Sequence, residues 1–198
     1  MKNLLFVLLA VSLLFSCGKD EISNQGFTPI QEQNIYDSLS PQSNFDYYEL
    51  RDYACFDSIH FHKISSFGTN PFKDTVKFYS RGVIYAGSTF CTYNVMMTVK
   101  GNDVKFLTTL EAMKEFLGTI DNKHKALFIA HLKGYYFRFN DQNNGIKEIN
   151  GEFQILALKT VRYCLPVQTD RFLLEIDRAG NIKIIKEETF SKEQNACI

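Results

Sequence analysis

The chain has no tryptophan, only four prolines and no excess of charge, since its 22 basic and 22 acidic residues cancel. Affinity for nucleic acid rests on phosphate neutralisation, so a chain with no basic stripe makes no case for DNA or RNA binding. The usual catalytic signatures are missing as well. "AGSTF" at residues 86–90 lacks the second glycine of a GxSxG elbow, and no HExxH, P-loop or GxGxxG pattern occurs. No pair of cysteines is spaced as CxxC, which removes thioredoxin-like redox work and a zinc ribbon. No internal repeat and no second long hydrophobic run follow the amino-terminal segment. What remains is a composition 45% hydrophobic, that of a globular chain rather than a disordered one.

The amino-terminal segment carries the most specific signal. Lys2 precedes Leu4 to Phe15, which is apolar throughout except for Ser12. That length suits a secretory signal and falls short of the roughly 20 apolar residues needed to span a bilayer. The competing reading is a buried first strand or helix of the fold. Ser16 then places a small residue before Cys17. The stretch Leu14-Phe15-Ser16-Cys17 resembles the lipobox of bacterial lipoproteins. The resemblance implies a signal peptide over residues 1–16, lipidation of Cys17 and a membrane partner held through that lipid. Each buried CH₂ contributes about 0.8 kcal/mol, so several acyl chains anchor firmly where one would not. Gly18 implies the outer membrane. Lys19-Asp20-Glu21 resembles the surface-export signal of Bacteroidetes-type lipoproteins and so implies the cell surface; without that likeness the three residues simply begin a solvated linker.

Residues 22–44 are rich in Gln, Asn and Ser and hold two of the four prolines. With Cys17 they read as a flexible tether over residues 17–44, carrying a single globular domain over residues 45–198. Within that domain "NVMMTVKGNDVKFL" predicts a hairpin turning at Gly101-Asn102. "TTLEAMKEFLG" predicts a helix with Thr108 and Glu111 as a capping-box pair and Gly118 as its stop. Asp121 predicts the cap of a second, buried helix ending at Gly134. Strands are expected at "SIHFHKI", "DTVKFYS", "YYFRF" and "EFQILALKTV", the last covered on both faces. "RFLLEID" and "NIKIIKE" predict a hairpin in which Gly180 supplies a positive φ. Strands, one pair of short helices, then strands predict an α+β domain with a mostly antiparallel sheet. The run "EFLGTIDNKHKALFIAHLKGYYF", with the strand pair and the final "ACI", resembles uncharacterised Bacteroidetes-type outer-membrane lipoproteins over residues 105–198. Those read "FLG-x-ID-x-x-EEAL" there. Lys123-His124-Lys125 replaces the acidic pair, so no role of those acids carries over, and the likeness implies no activity.

Setting Cys17 aside leaves Cys55, Cys91, Cys164 and Cys197, an even set that points to disulfides in an exported chain. The last hairpin brings Cys164, just before its first strand, near Cys197, a short tail beyond its second. Cys55 and Cys91 then pair by elimination. The alternative is four free cysteines acting as small buried apolar residues. His60 and His62 stand two apart on an expected strand and could hold zinc or copper given a third ligand; otherwise they are polar residues on a solvated face. Cys91 with either histidine would make a thiol nucleophile, provided no disulfide forms. His131 reads as a core histidine. The aromatic run "FDYYELRDYACF" could stack sugars but fits a core better. Carboxylates abound, yet sequence cannot measure the separation a glycosidase needs. The expectation is a non-catalytic binding or accessory module without a cofactor, facing an envelope protein or a glycan. The alternative is a small exported hydrolase with no recognisable motif.

Overall fold

The computed structural model describes residues 21–57, 59–72, 76–78, 80–85 and 91–198. Five strands precede the helical region apart from a short first one: β1 (Thr28–Pro29), β2 (Tyr47–Ala54), β3 (Phe61–Gly68), β4 (Val83–Tyr85), β5 (Thr92–Lys100) and β6 (Asp103–Leu107). Helices α1 (Gln33–Tyr36), α2 (Leu110–Leu117) and α3 (Lys123–Leu132) are followed in sequence, after α3, by β7 (Gly145–Ile149), β8 (Glu152–Tyr163), β9 (Val167–Ile176) and β10 (Ile182–Glu193). The first sheet has the order β1-β7-β8-β9-β10. The second runs β3-β2-β5, and β4 and β6 both pair with the far side of β5. All of these pairings are antiparallel.

The expected antiparallel pairing and helix pair are present. The strands nevertheless form two sheets, so the chain is mostly β rather than a plain α+β arrangement on one sheet. Consecutive strands pair with their sequence neighbours. The helix pair interrupts that succession between β6 and β7; β2 to β6 close into one sheet and β7 to β10 into the other, which the short β1 joins at its edge. One apolar core spans both. It takes Leu50 and Met96 from the second sheet, Ile155, Ala157, Phe172 and Leu174 from the first, and Met113, Leu117, Leu127 and Phe128 from the helices. Every residue of α3 from Lys125 to Leu132 is buried, as a helix apolar nearly all round requires.

Both helix caps sit one residue later than expected. Thr109, not Thr108, accepts the Ala112 N–H of α2 at 3.1 Å, and Asn122, not Asp121, accepts the Lys125 N–H of α3 at 3.0 Å. Asp121 instead meets the Lys125 ammonium at 3.1 Å. That buried ammonium also donates to the carbonyls of Leu117 and Thr119 at 3.0 and 3.1 Å, tying the turn between α2 and α3. Gly118 ends α2 at φ 61° and Gly180 turns the last hairpin at φ 73°, both as the sequence predicts. Two expected strands are corrected. "YYFRF" makes only an isolated bridge, Tyr136 to Leu158. Val76, Lys77 and Phe78 are not strand either: Phe78 packs beside Tyr53 and Phe106 on the outer face of the second sheet.

Residues 22–44 are not the free tether expected. Ile22, Ile30, Ile35 and Leu39 are all buried, and the last three belong to the central core. Their apolar residues are too widely spaced to show a period, which hides the packing from the sequence. Ile22 donates its N–H to Glu188 Oε2 at 2.8 Å and accepts from Arg171 Nη1 at 3.2 Å. From β10 the chain then crosses to the opposite edge, where Thr28 pairs with Ile146 of β7. Residues 22–27 are thus a strap across the outer face of the first sheet. Leu156 and Leu158, cross-strand partners of Leu173 and Arg171 on that face, are fully buried.

Candidate functional site

The cysteine pairing is as the hairpin geometry predicts. Cys55 joins Cys91 and Cys164 joins Cys197, with separations of 36 and 33 residues. A thiol nucleophile at Cys91 is thereby overturned, since the sulfur is already bonded. His60 lies just before β3 rather than on it, 85% exposed, with Nδ1 2.9 Å from Asp57 Oδ2. Asp57 also accepts the backbone N–H groups of His60 and Ile59. Those bonds hold its carboxyl down at about 2. His62 is exposed on β3 opposite Asp52. Among the described residues no group of three or more His, Cys, Asp and Glu could hold a metal ion. His131 is buried with Tyr36 edge-on at 5.9 Å, and desolvation lowers its pKa to about 4. Cys17, Lys19 and Asp20 lie outside the described residues, whereas Glu21 is described and exposed.

The aromatic run on β2 resolves into a buried ladder. Alternation puts Tyr47, Glu49, Arg51 and Tyr53 on one face, beneath the segment that contains Val76 and Phe78. Tyr47 donates to Glu49 Oε2 at 2.5 Å, and Arg51 Nε donates to Glu49 Oε1 at 2.5 Å. The guanidinium also donates to the Val76 carbonyl at 2.7 Å and lies 4.1 Å from the Phe61 ring centroid. Burial, then Glu49, pushes the Tyr47 phenol up to about 12. These groups satisfy one another and face no open space, so they hold the sheet's cover in place rather than meet a ligand. Phe56 is the member of the run left exposed.

An open cleft of about 850 Å³ lies instead along β9 and β10, lined by Glu21, Gln168, Asp170, Lys186, Glu187 and Glu188 among others. Gln168 and Asp170 continue the face of β9 that carries Phe172 and Leu174 into the core. Gln168 Nε2 donates to Asp170 Oδ1 at 2.8 Å. Partial desolvation, then the charge of Asp170 and a hydrogen bond with it, raise the pKa of Glu187. Carboxyl oxygens placed side by side in this way can accept from a ligand's hydroxyl or amine. Lys186 supplies a cation beside them, and its ammonium also holds the Glu21 carbonyl at 3.2 Å. No family model, curated protein or solved structure matches this chain.

The sequence reading missed Gln168, Asp170 and Glu187. The available signal was polar residues continuing the buried face of "VQTDRFLLEI", which alternation alone reads as the solvated end of a strand. A second hollow of about 340 Å³ sits at the start of α3, between Asp121, Lys123, Lys147 and the apolar floor of Ile146 and Phe153.

Proposed function

We propose that this chain is a lipid-anchored cell-envelope protein of the outer membrane. It works as a non-catalytic binding or accessory module, with the β9–β10 cleft as its ligand surface. The observation that carries the reading is the position of Ile22. Ile22, only five positions after the lipobox cysteine, is buried, and it lies beside the cleft. A mature chain starting at Cys17 keeps every described residue and places its ligand surface next to the anchor. The carboxyl pair, the glutamine amide and the lysine suit a polar, hydroxyl-bearing ligand such as a glycan.

The test is Cys17→Ser, followed by metabolic labelling with a radioactive fatty acid. Loss of label and accumulation of the unprocessed chain are expected; a normally processed, membrane-retained variant would refute the anchor. The Asp170–Glu187 pair also favours a second reading, a small exported hydrolase using one carboxyl as acid and the other as base. That reading requires turnover of a glycan or peptide substrate that disappears in Glu187→Gln. Binding without turnover in the parent chain decides for the module.

A further inference from the structure

Lipidation of Cys17 would constrain how the folded body sits on a membrane. Ile22, buried, lies five positions after Cys17, and five fully extended steps reach at most about 17 Å. A compact body of this length is about 40 Å across. The leash is shorter than the body, so the body cannot turn its far side to the bilayer while Ile22 stays docked. The residues nearest the leash belong to β10, whose Lys186 holds the Glu21 carbonyl.

Resting on that lipidation, we propose that the first half of β10, from Lys183 to Lys186, is a membrane-contact surface that lies against the lipid headgroups. Its chemistry fits that partner. Ile184 and Ile185 are 50% and 42% exposed, an adjacent apolar pair on an edge strand. Lys183 and Lys186 flank them, and lysine ammonium groups on either side of an apolar contact match phosphate above hydrocarbon. Two of the acids nearby are engaged elsewhere, Glu188 by Ile22 and Arg171 and Glu187 by Asp170; Glu175 meets Lys183 itself at 3.7 Å across an exposed surface, a contact that lipid phosphate competes for, and Glu21 is exposed at the end of the leash. A partner strand is the competing occupant of any open sheet edge. Here register shifts between Ile184 and Lys186 and again between Thr189 and Ser191 break the regular row of backbone groups that strand addition needs.

The experiment uses the acylated full chain in vesicles of phosphatidylethanolamine and phosphatidylglycerol. A nitroxide is attached at Ile185→Cys, with Ile184→Cys as a second site should the first disturb folding, and at Ile59→Cys on the exposed turn before β3. Collision rates with oxygen and with a water-soluble nickel complex are compared. Oxygen should dominate at 185 or 184, and the nickel complex at 59. A spacer of about ten Gly and Ser residues between Gly18 and Lys19 lengthens the leash and should shift the β10 label toward water. Equal access of the nickel complex to both positions in the acylated chain would overturn the proposal. So would protection at 185 that persists in detergent without vesicles, which marks a second strand on the edge. A chain carrying no acyl group at Cys17 sinks the anchor itself, and the labelling result separates that failure from the others.

Discussion

Arg51→Met would leave Glu49 charged at a position only 3% exposed. In the native chain that carboxylate accepts from Arg51 Nε and from the Tyr47 hydroxyl, each at 2.5 Å, and Arg51 Nη2 also contacts it. Methionine fills nearly the same length and packs against Phe61 and Phe106, so little volume is lost. What disappears is the compensating charge, and removing one partner of a buried pair costs about 3–5 kcal/mol. The Val76 carbonyl loses its donor as well, which pushes the cost toward the upper end of that range. With a urea slope of about 2 kcal/mol/M, the unfolding midpoint should fall by about 2 M. The double variant Glu49→Leu, Arg51→Met removes both charges and should recover most of the loss, since apolar replacement of a whole buried pair is often neutral or better. Urea unfolding with the disulfides intact measures both. A shift below about 0.5 M in the single variant, or a double variant no more stable than the single, would refute the view that the ladder is a desolvated ion pair.

The disulfides and the buried histidine give further tests. Replacing Cys55 and Cys91 by serine opens a loop of 36 residues' separation and should lower stability by about 4 kcal/mol. A midpoint unchanged from the parent would show that the strands alone fix that end. His131 has its pKa lowered by burial to about 4, against an ordinary value of 6.5, so the unfolded chain takes up the proton first as pH falls. Its contribution is complete above pH 6.5 and is lost progressively down to pH 4, by about 3 kcal/mol in all. His131→Leu should therefore flatten the decline of the urea midpoint across that window; an identical decline in the variant would place the sensitivity elsewhere.

Local patterns were legible where chemistry is local. The hairpin turning at Gly101, the glycine at the end of α2 and the alternation of β8 and β9 all follow from backbone preference and a two-residue period. So did the disulfides, because one hairpin brings Cys164 and Cys197 together and leaves two cysteines over. The caps missed by one residue because Thr108 and Thr109, like Asp121 and Asn122, are neighbours of equal capping ability, and only the fold selects between them. The packing of residues 22–44 was illegible for a different reason. Ile22, Ile30, Ile35 and Leu39 are single apolar residues in a polar stretch, and their burial depends on surfaces contributed by distant strands. The cleft was hidden in the same way, because Asp170 and Glu187 come from two strands and meet only through the β9–β10 register.

The strap also sets an order of events. Ile22 hydrogen-bonds to Glu188, 166 residues further along the chain. A contact of that span forms late, because closing so long a loop costs entropy that nothing local repays beforehand. A chain that emerges amino end first therefore carries Ile22 undocked until β9 and β10 have arrived and paired. Until then the outer face of the first sheet lacks its cover. Closing that sheet is thus the task of the last hairpin, which must be in place before the far end of the chain can lie across it.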